Sequence, residues 1–88
     1  MKNTIFSPQA LTEYLCWQQE DRKTLKRINS LIQSVHSDGA VEGIGKPERL
    51  KYIADAFSRR IDETNRLVYR IEKNRDLYIV SCKGHYDD

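Results

Sequence analysis

The chain has 88 residues, 39% of them apolar and 32% charged, a size that suits one domain, 1–88, since a second core needs roughly another 50 residues. A formal net charge of +2 permits a phosphate-rich partner but does not identify one, and so excludes a nucleic-acid assignment from composition alone. The opening segment MKNTIFSPQALTEYL lacks the apolar stretch of a secretory signal, and no run approaches the ~20 residues that span a bilayer. The expected location is the cytoplasm, with no membrane partner.

In chain order, residues 4–6 suggest a short strand. Ser7 followed by Pro8 is a helix start, because the Ser oxygen can accept from an open N–H while Pro has none to leave unpaired. Leu11, Tyr14, Leu15 and Gln18 then fall on one face, with Ala10 and Trp17 widening it, and the polar run 18–21 predicts a break. A second helix follows, with Leu25, Ile28, Ile32 and Val35 at three-four spacing and Leu31 alongside. Residues 37–47, SDGAVEGIGKP, read as a long loop.

Beyond it the period changes to two. Phe57, Arg59 and Ile61 alternate with Ser58, Arg60 and Asp62; Leu67, Tyr69 and Ile71 with Arg66, Val68 and Arg70; Leu77, Ile79 and Ser81 with Tyr78, Val80 and Cys82. Three strands joined by polar turns form an antiparallel meander. The expected fold class is therefore α+β: an N-terminal strand and a two-helix hairpin packed on one face of an antiparallel sheet. On the other face, Arg66 and Arg70 are candidates for contact with a phosphate backbone.

Between positions 46 and 70 there are seven cations (Lys46, Arg49, Lys51, Arg59, Arg60, Arg66 and Arg70) against four anions, with Tyr52 and Phe57 interleaved. Such a mixture fits RNA contact. The plain alternative for Arg59, Arg60 and Arg66 is the wet face of a sheet, where alternating charges are normal. Few side chains near these cations can move protons, and the two singled out are Glu48 and His85; the plain alternatives are a solvated loop carboxylate and a terminal tail. Cys16 and Cys82 lie far apart with no CxxC and no His at ligand spacing, so neither a disulfide nor a metal site is expected, and no cofactor is called for.

Several blocks together resemble one family. GKPERLK (residues 45–51), FSRRIDETNRLVY (57–69), CKGHY (82–86), YLCWQQED (14–21) and KRIN (26–29) are similar to the YoeB/Txe toxins within the RelE-like group, in order and over almost the whole chain. The resemblance implies a fold like that of small microbial ribonucleases and a ribosome-dependent mRNA endonuclease working without a metal in a type II toxin–antitoxin pair. It also implies catalytic roles for Glu48, Arg66, His85 and Tyr86. Lys51 and Arg60 match positions implicated in RNA contact, and Arg59 is placed with them as substrate-binding. The implied partners are a cognate antitoxin of the YefM/Axe kind, the ribosome with its mRNA, a second toxin copy as a homodimer, and operator DNA only through the antitoxin. There are three departures from the family pattern: Asn65 where a His is common, Arg49 where a Pro is common, and the pair Asp87 and Asp88 beyond the usual terminal Tyr. A competing reading of the same residues is a non-catalytic module that binds RNA or the ribosome. A third is an interaction protein whose basic face meets an acidic partner.

Overall fold

The computed structural model describes residues 3–84. β1 (Thr4–Phe6) leads into α1 (Pro8–Glu20), α2 (Arg22–Asp38), β2 (Glu48–Arg49), β3 (Ala56–Arg60), β4 (Arg66–Ile71) and β5 (Leu77–Ser81). The five strands form one sheet in the order β1-β5-β4-β3-β2, with β1 parallel to β5 and the other pairs antiparallel. The expected strand, helical hairpin and meander are all present. β2 is an addition the sequence did not announce, because two residues are too few to show an alternation. Among the described residues no helix is long and apolar enough to cross a membrane.

Local chemistry sets the helix ends. The Ser7 oxygen accepts from the Ala10 N–H at 2.9 Å while its hydroxyl donates to the Val80 carbonyl at 2.8 Å, so one side chain caps α1 and ties it to β5. Asp21 separates the helices and caps α2, accepting from the Thr24 N–H at 3.2 Å and the Thr24 hydroxyl at 2.8 Å. These bonds hold its carboxyl below the usual range.

The helices cover one sheet face. Ile28, Leu31 and Val35 of α2 are fully buried against Phe57, Leu67, Tyr69 and Ile79. α1 sits differently from its expected register. Ala10 is fully buried and Tyr14 and Trp17 pack on the core, whereas Leu11 and Leu15 are exposed. The reason is tertiary: the Trp17 indole N–H donates to the Cys82 carbonyl at 2.8 Å, and the small Ala10 lets the helix approach β5.

The second departure is in β5. Tyr69 pairs with Ile79 but Val68 with Ser81, a bulge that places an extra residue on β5. Alternation inverts there, and Cys82, expected opposite Leu77 and Ile79, joins them in the core. Burial, and secondarily the charge of Glu13, pushes its thiol up to about 12. The far sheet face is only partly open, because the 50–55 segment folds over it and Leu50 and Ile53 pack on Ala56 and Val68.

Candidate active site

β-Pairing decides which of the polar residues meet. Glu48 pairs with Ser58, Ser58 with Val68, and Val68 with Ser81, so these four side chains share the face turned away from the helices. Arg60 pairs with Arg66 on that face, two residues along from Ser58 and Val68. Residue 48 therefore sits diagonally across from residue 60, a spacing of about 7–8 Å between Cα or Cβ positions in such a ladder and within reach of long side chains. Glu48 and Arg60 are exposed and Arg66 half-buried; Lys51 follows on the exposed segment leaving β2.

Arg66 curls over the β3–β4 turn, donating through Nη1 to the carbonyls of Asp62 at 2.7 Å and Asn65 at 3.1 Å. The Asp62 carboxylate knits that turn. It accepts from the N–H groups of Thr64 at 2.8 Å and Asn65 at 2.7 Å and from the Asn65 amide at 3.0 Å. Partial burial pushes Asp62 up, but the bonds from Asn65 and Thr64 outweigh it and leave the carboxyl below its usual range.

The same turn receives the C-terminal segment. The Gly84 N–H donates to the Asn65 side-chain oxygen at 2.8 Å, and the Arg66 N–H donates to the Gly84 carbonyl at 3.0 Å. Just before it, α1 grips the chain: Glu13 accepts from the Cys82 N–H at 2.7 Å, and the Lys83 ammonium lies 5.1 Å over the Trp17 ring and 3.5 Å from Glu20. His85 and Tyr86 lie outside the described residues, as do Asp87 and Asp88. Asn65, noted in the sequence only as a departure from a pattern, is a positioning group whose role no spacing signalled.

Arg59 requires a correction. Expected among substrate-contacting cations, it is 0% exposed and points to the helix side, bonded to Tyr69, Ser34 and the loop carbonyls of Gly39, Glu42 and Ile44. The alternation already carried this signal, since Arg59 falls in step with Phe57 and Ile61, both buried. Two other cations are also engaged: Arg70 pairs with Glu72 at 3.3 Å and lies over Tyr78, and Arg49 lies over Phe57. On the face that carries Glu48, the pairing register places Arg60 and Arg66.

A family model for the YoeB-like toxin of bacterial type II toxin–antitoxin systems matches residues 6–86. The chain belongs to this family. Toxin YoeB of Synechocystis is 49% identical over 92% of this chain and 93% of its own. The toxin in the heterotetrameric YoeB–YefM complex of Staphylococcus aureus is 49% identical with a TM-score of 0.88, covering 96% of this chain and 97% of that one. The YoeB dimer of the same organism gives 47% and 0.89 over the same shares. An archaeal RelE in complex with RelB, from Pyrococcus horikoshii, shares 12% identity at a TM-score of 0.73 over 98% of this chain and 97% of that one, which extends the likeness of fold to the RelE-like toxins. As a YoeB-like toxin the chain is the toxin component of a type II toxin–antitoxin system; the two Staphylococcus aureus relatives are, respectively, in a complex with YefM and a dimer.

Proposed function

We propose that this toxin is a ribosome-dependent endoribonuclease that cuts mRNA by attack of the 2′-OH on the adjacent phosphate, leaving a 2′,3′-cyclic phosphate and a 5′-OH. The observation that carries this reading is the sharing of one sheet face by Glu48, Arg60 and Arg66, with Gly84 bonded to the backbone of Arg66. The reaction needs a base at the 2′-OH, positive charge at the phosphorane oxygens and an acid at the departing 5′-oxygen. Glu48 is the base, Arg66 with Arg60 and Lys51 the electrostatic clamp, and His85 the acid, with Tyr86 stacking on or positioning a base. No metal or cofactor takes part.

Each proton transfer supplies about 10²- to 10⁴-fold and the clamp a comparable factor. Holding the reacting groups in line is worth more, with effective molarities of about 10⁵ M or above. An 88-residue chain has little surface for holding a flexible mRNA, so the ribosome supplies that alignment. The work is done in the bacterial cytoplasm, until an antitoxin of the YefM/Axe kind covers the basic end of the sheet. The toxin pairs as a homodimer and reaches operator DNA only through the antitoxin.

The test is a defined mRNA incubated with the chain, with and without programmed 70S ribosomes and with EDTA in the free-RNA arm, with ends mapped by primer extension. Cuts confined to the ribosomal arm, reduced at least ~100-fold in Glu48→Gln and His85→Ala, are the expected outcome. Ribosome binding without any cleavage would instead assign a non-catalytic binding module.

A further inference from the structure

A guanidinium keeps its proton at any physiological pH, so burying one is costly unless every donor is met. Arg59 is 0% exposed, and its five N–H groups meet five neutral oxygens. Nε donates to the Tyr69 hydroxyl at 2.9 Å, Nη1 to Ser34 Oγ at 2.8 Å and the Ile44 carbonyl at 3.0 Å, and Nη2 to the carbonyls of Gly39, at 2.7 Å, and Glu42. Gly39 is the C-cap of α2, the negative end of that helix's dipole, and Ser34 in turn donates to the Asp38 carboxylate at 2.8 Å. The cation is thus compensated by a helix end and by a loop wrapped around it.

That loop leads to Glu48. A Cβ at Gly43 (φ +105°) would sit 2.2 Å from Ser34 Oγ and 3.1 Å from Arg59 Nη1, so the loop closes on the guanidinium only with glycine there. The next turn carries strain at one residue: after Gly45, at φ +85°, which glycine adopts freely, Lys46, an L-residue directly before Pro47, has φ +51°. Such geometry persists only where the surroundings over-determine it. Here the Gly45 carbonyl accepts from the Arg60 N–H at 2.7 Å, while Arg59 holds the carbonyl of Ile44 one residue earlier. β2 follows at once and is two residues long, too short to fix its own register.

We propose that Arg59 is the positioning residue for Glu48: from the helix side of β3 it rivets the 39–45 loop, and so sets the register in which Glu48 faces Arg60 and Arg66 across the opposite side. The inference rests on the nuclease reading above. It predicts that Arg59→Lys, whose ammonium cannot meet five oxygens in a fork, still folds and binds programmed ribosomes within about twofold of the parent, since the contact surface is untouched. Its single-turnover cleavage at saturating toxin falls roughly 10- to 100-fold, the size expected for a misplaced reacting group.

A double-mutant cycle separates positioning from general destabilisation. If Arg59 acts through Glu48, adding Arg59→Lys to Glu48→Gln costs little further rate. Multiplying effects, or an unchanged rate in Arg59→Lys, overturn the assignment. Should Arg59→Lys not fold, Ser34→Ala withdraws one acceptor and carries the same cycle with a loss of about 3- to 10-fold; full rate in that variant overturns the proposal. Absence of cleavage by the parent chain overturns the nuclease reading and this assignment with it, whereas failure of the cycle alone leaves the nuclease reading standing.

Discussion

Burial holds the Cys82 thiol protonated far above the ordinary thiol range, at about 12, in a fully buried position against Ala10. Cys16 is half-buried beside Lys83 and Glu20. Alkylation of the native chain near pH 8 is therefore expected to label Cys16 alone, and both thiols only after unfolding, as read by mass spectrometry. The same shift fixes a pH dependence. A thiol whose folded value lies above its unfolded value gives stability that is complete below the unfolded value, near 9.0, and is lost as pH rises towards about 12. Denaturant melts should weaken across that window, and less so in Cys82→Ala compared with its own neutral-pH value. The Tyr69 phenol, raised by burial despite the neighbouring Arg59, titrates in the same direction and leaves a residual slope in that variant.

α1 owes its placement more to its ends and partners than to its apolar stripe. Ser7 caps the helix and also bonds β5 at Val80, beside the register shift of the bulge. Ser7→Ala removes both bonds from a buried site and should cost about 1–2 kcal/mol of unfolding free energy. The measurement is a urea titration with an unchanged m-value; a loss below a few tenths of a kcal/mol would show that water replaces both bonds. The β3–β4 turn has a different economy. Asp62, Asn65 and Gly84 form a chain of hydrogen bonds on the surface that ties residue 84 to the backbone of Arg66.

The charge of the molecule is modest for the RNA cleavage proposed above, and two of its carboxylates, Asp87 and Asp88, follow His85 and Tyr86 directly in sequence. Ending the chain at Tyr86 raises the formal net charge of +2 by two and removes acidic groups next to the proposed acid and stacking residue. That variant should cleave mRNA on programmed ribosomes several-fold faster at low ionic strength. The gain should shrink as salt rises, because the effect is one of long-range attraction to RNA. Equal rates at every salt concentration would mean that the two carboxylates have no bearing on activity.

Periodicity and capping chemistry were enough for the β-strands of the meander, both helices, the long loop and the α+β class, since each depends on residues only a few positions apart. Ser7–Pro8 is a local fact that no tertiary contact overrides; the strand 66–71 is equally local, although Val68 on its far face is buried by the 50–55 segment. The family resemblance pointed to Glu48, Arg60 and Arg66, and the pairing register brings those three to one face. What the fold alone decided is long-range: the bulge that turned Cys82 inward, the rotation of α1 that left Leu11 and Leu15 exposed, the two-residue strand bearing Glu48, and the burial of Arg59. Each depends on what another segment offers in return. The charge of Arg59 argued for the surface, and only the carbonyls of residues 39, 42 and 44, closing around it with Ser34 and Tyr69, made the interior the better solvent.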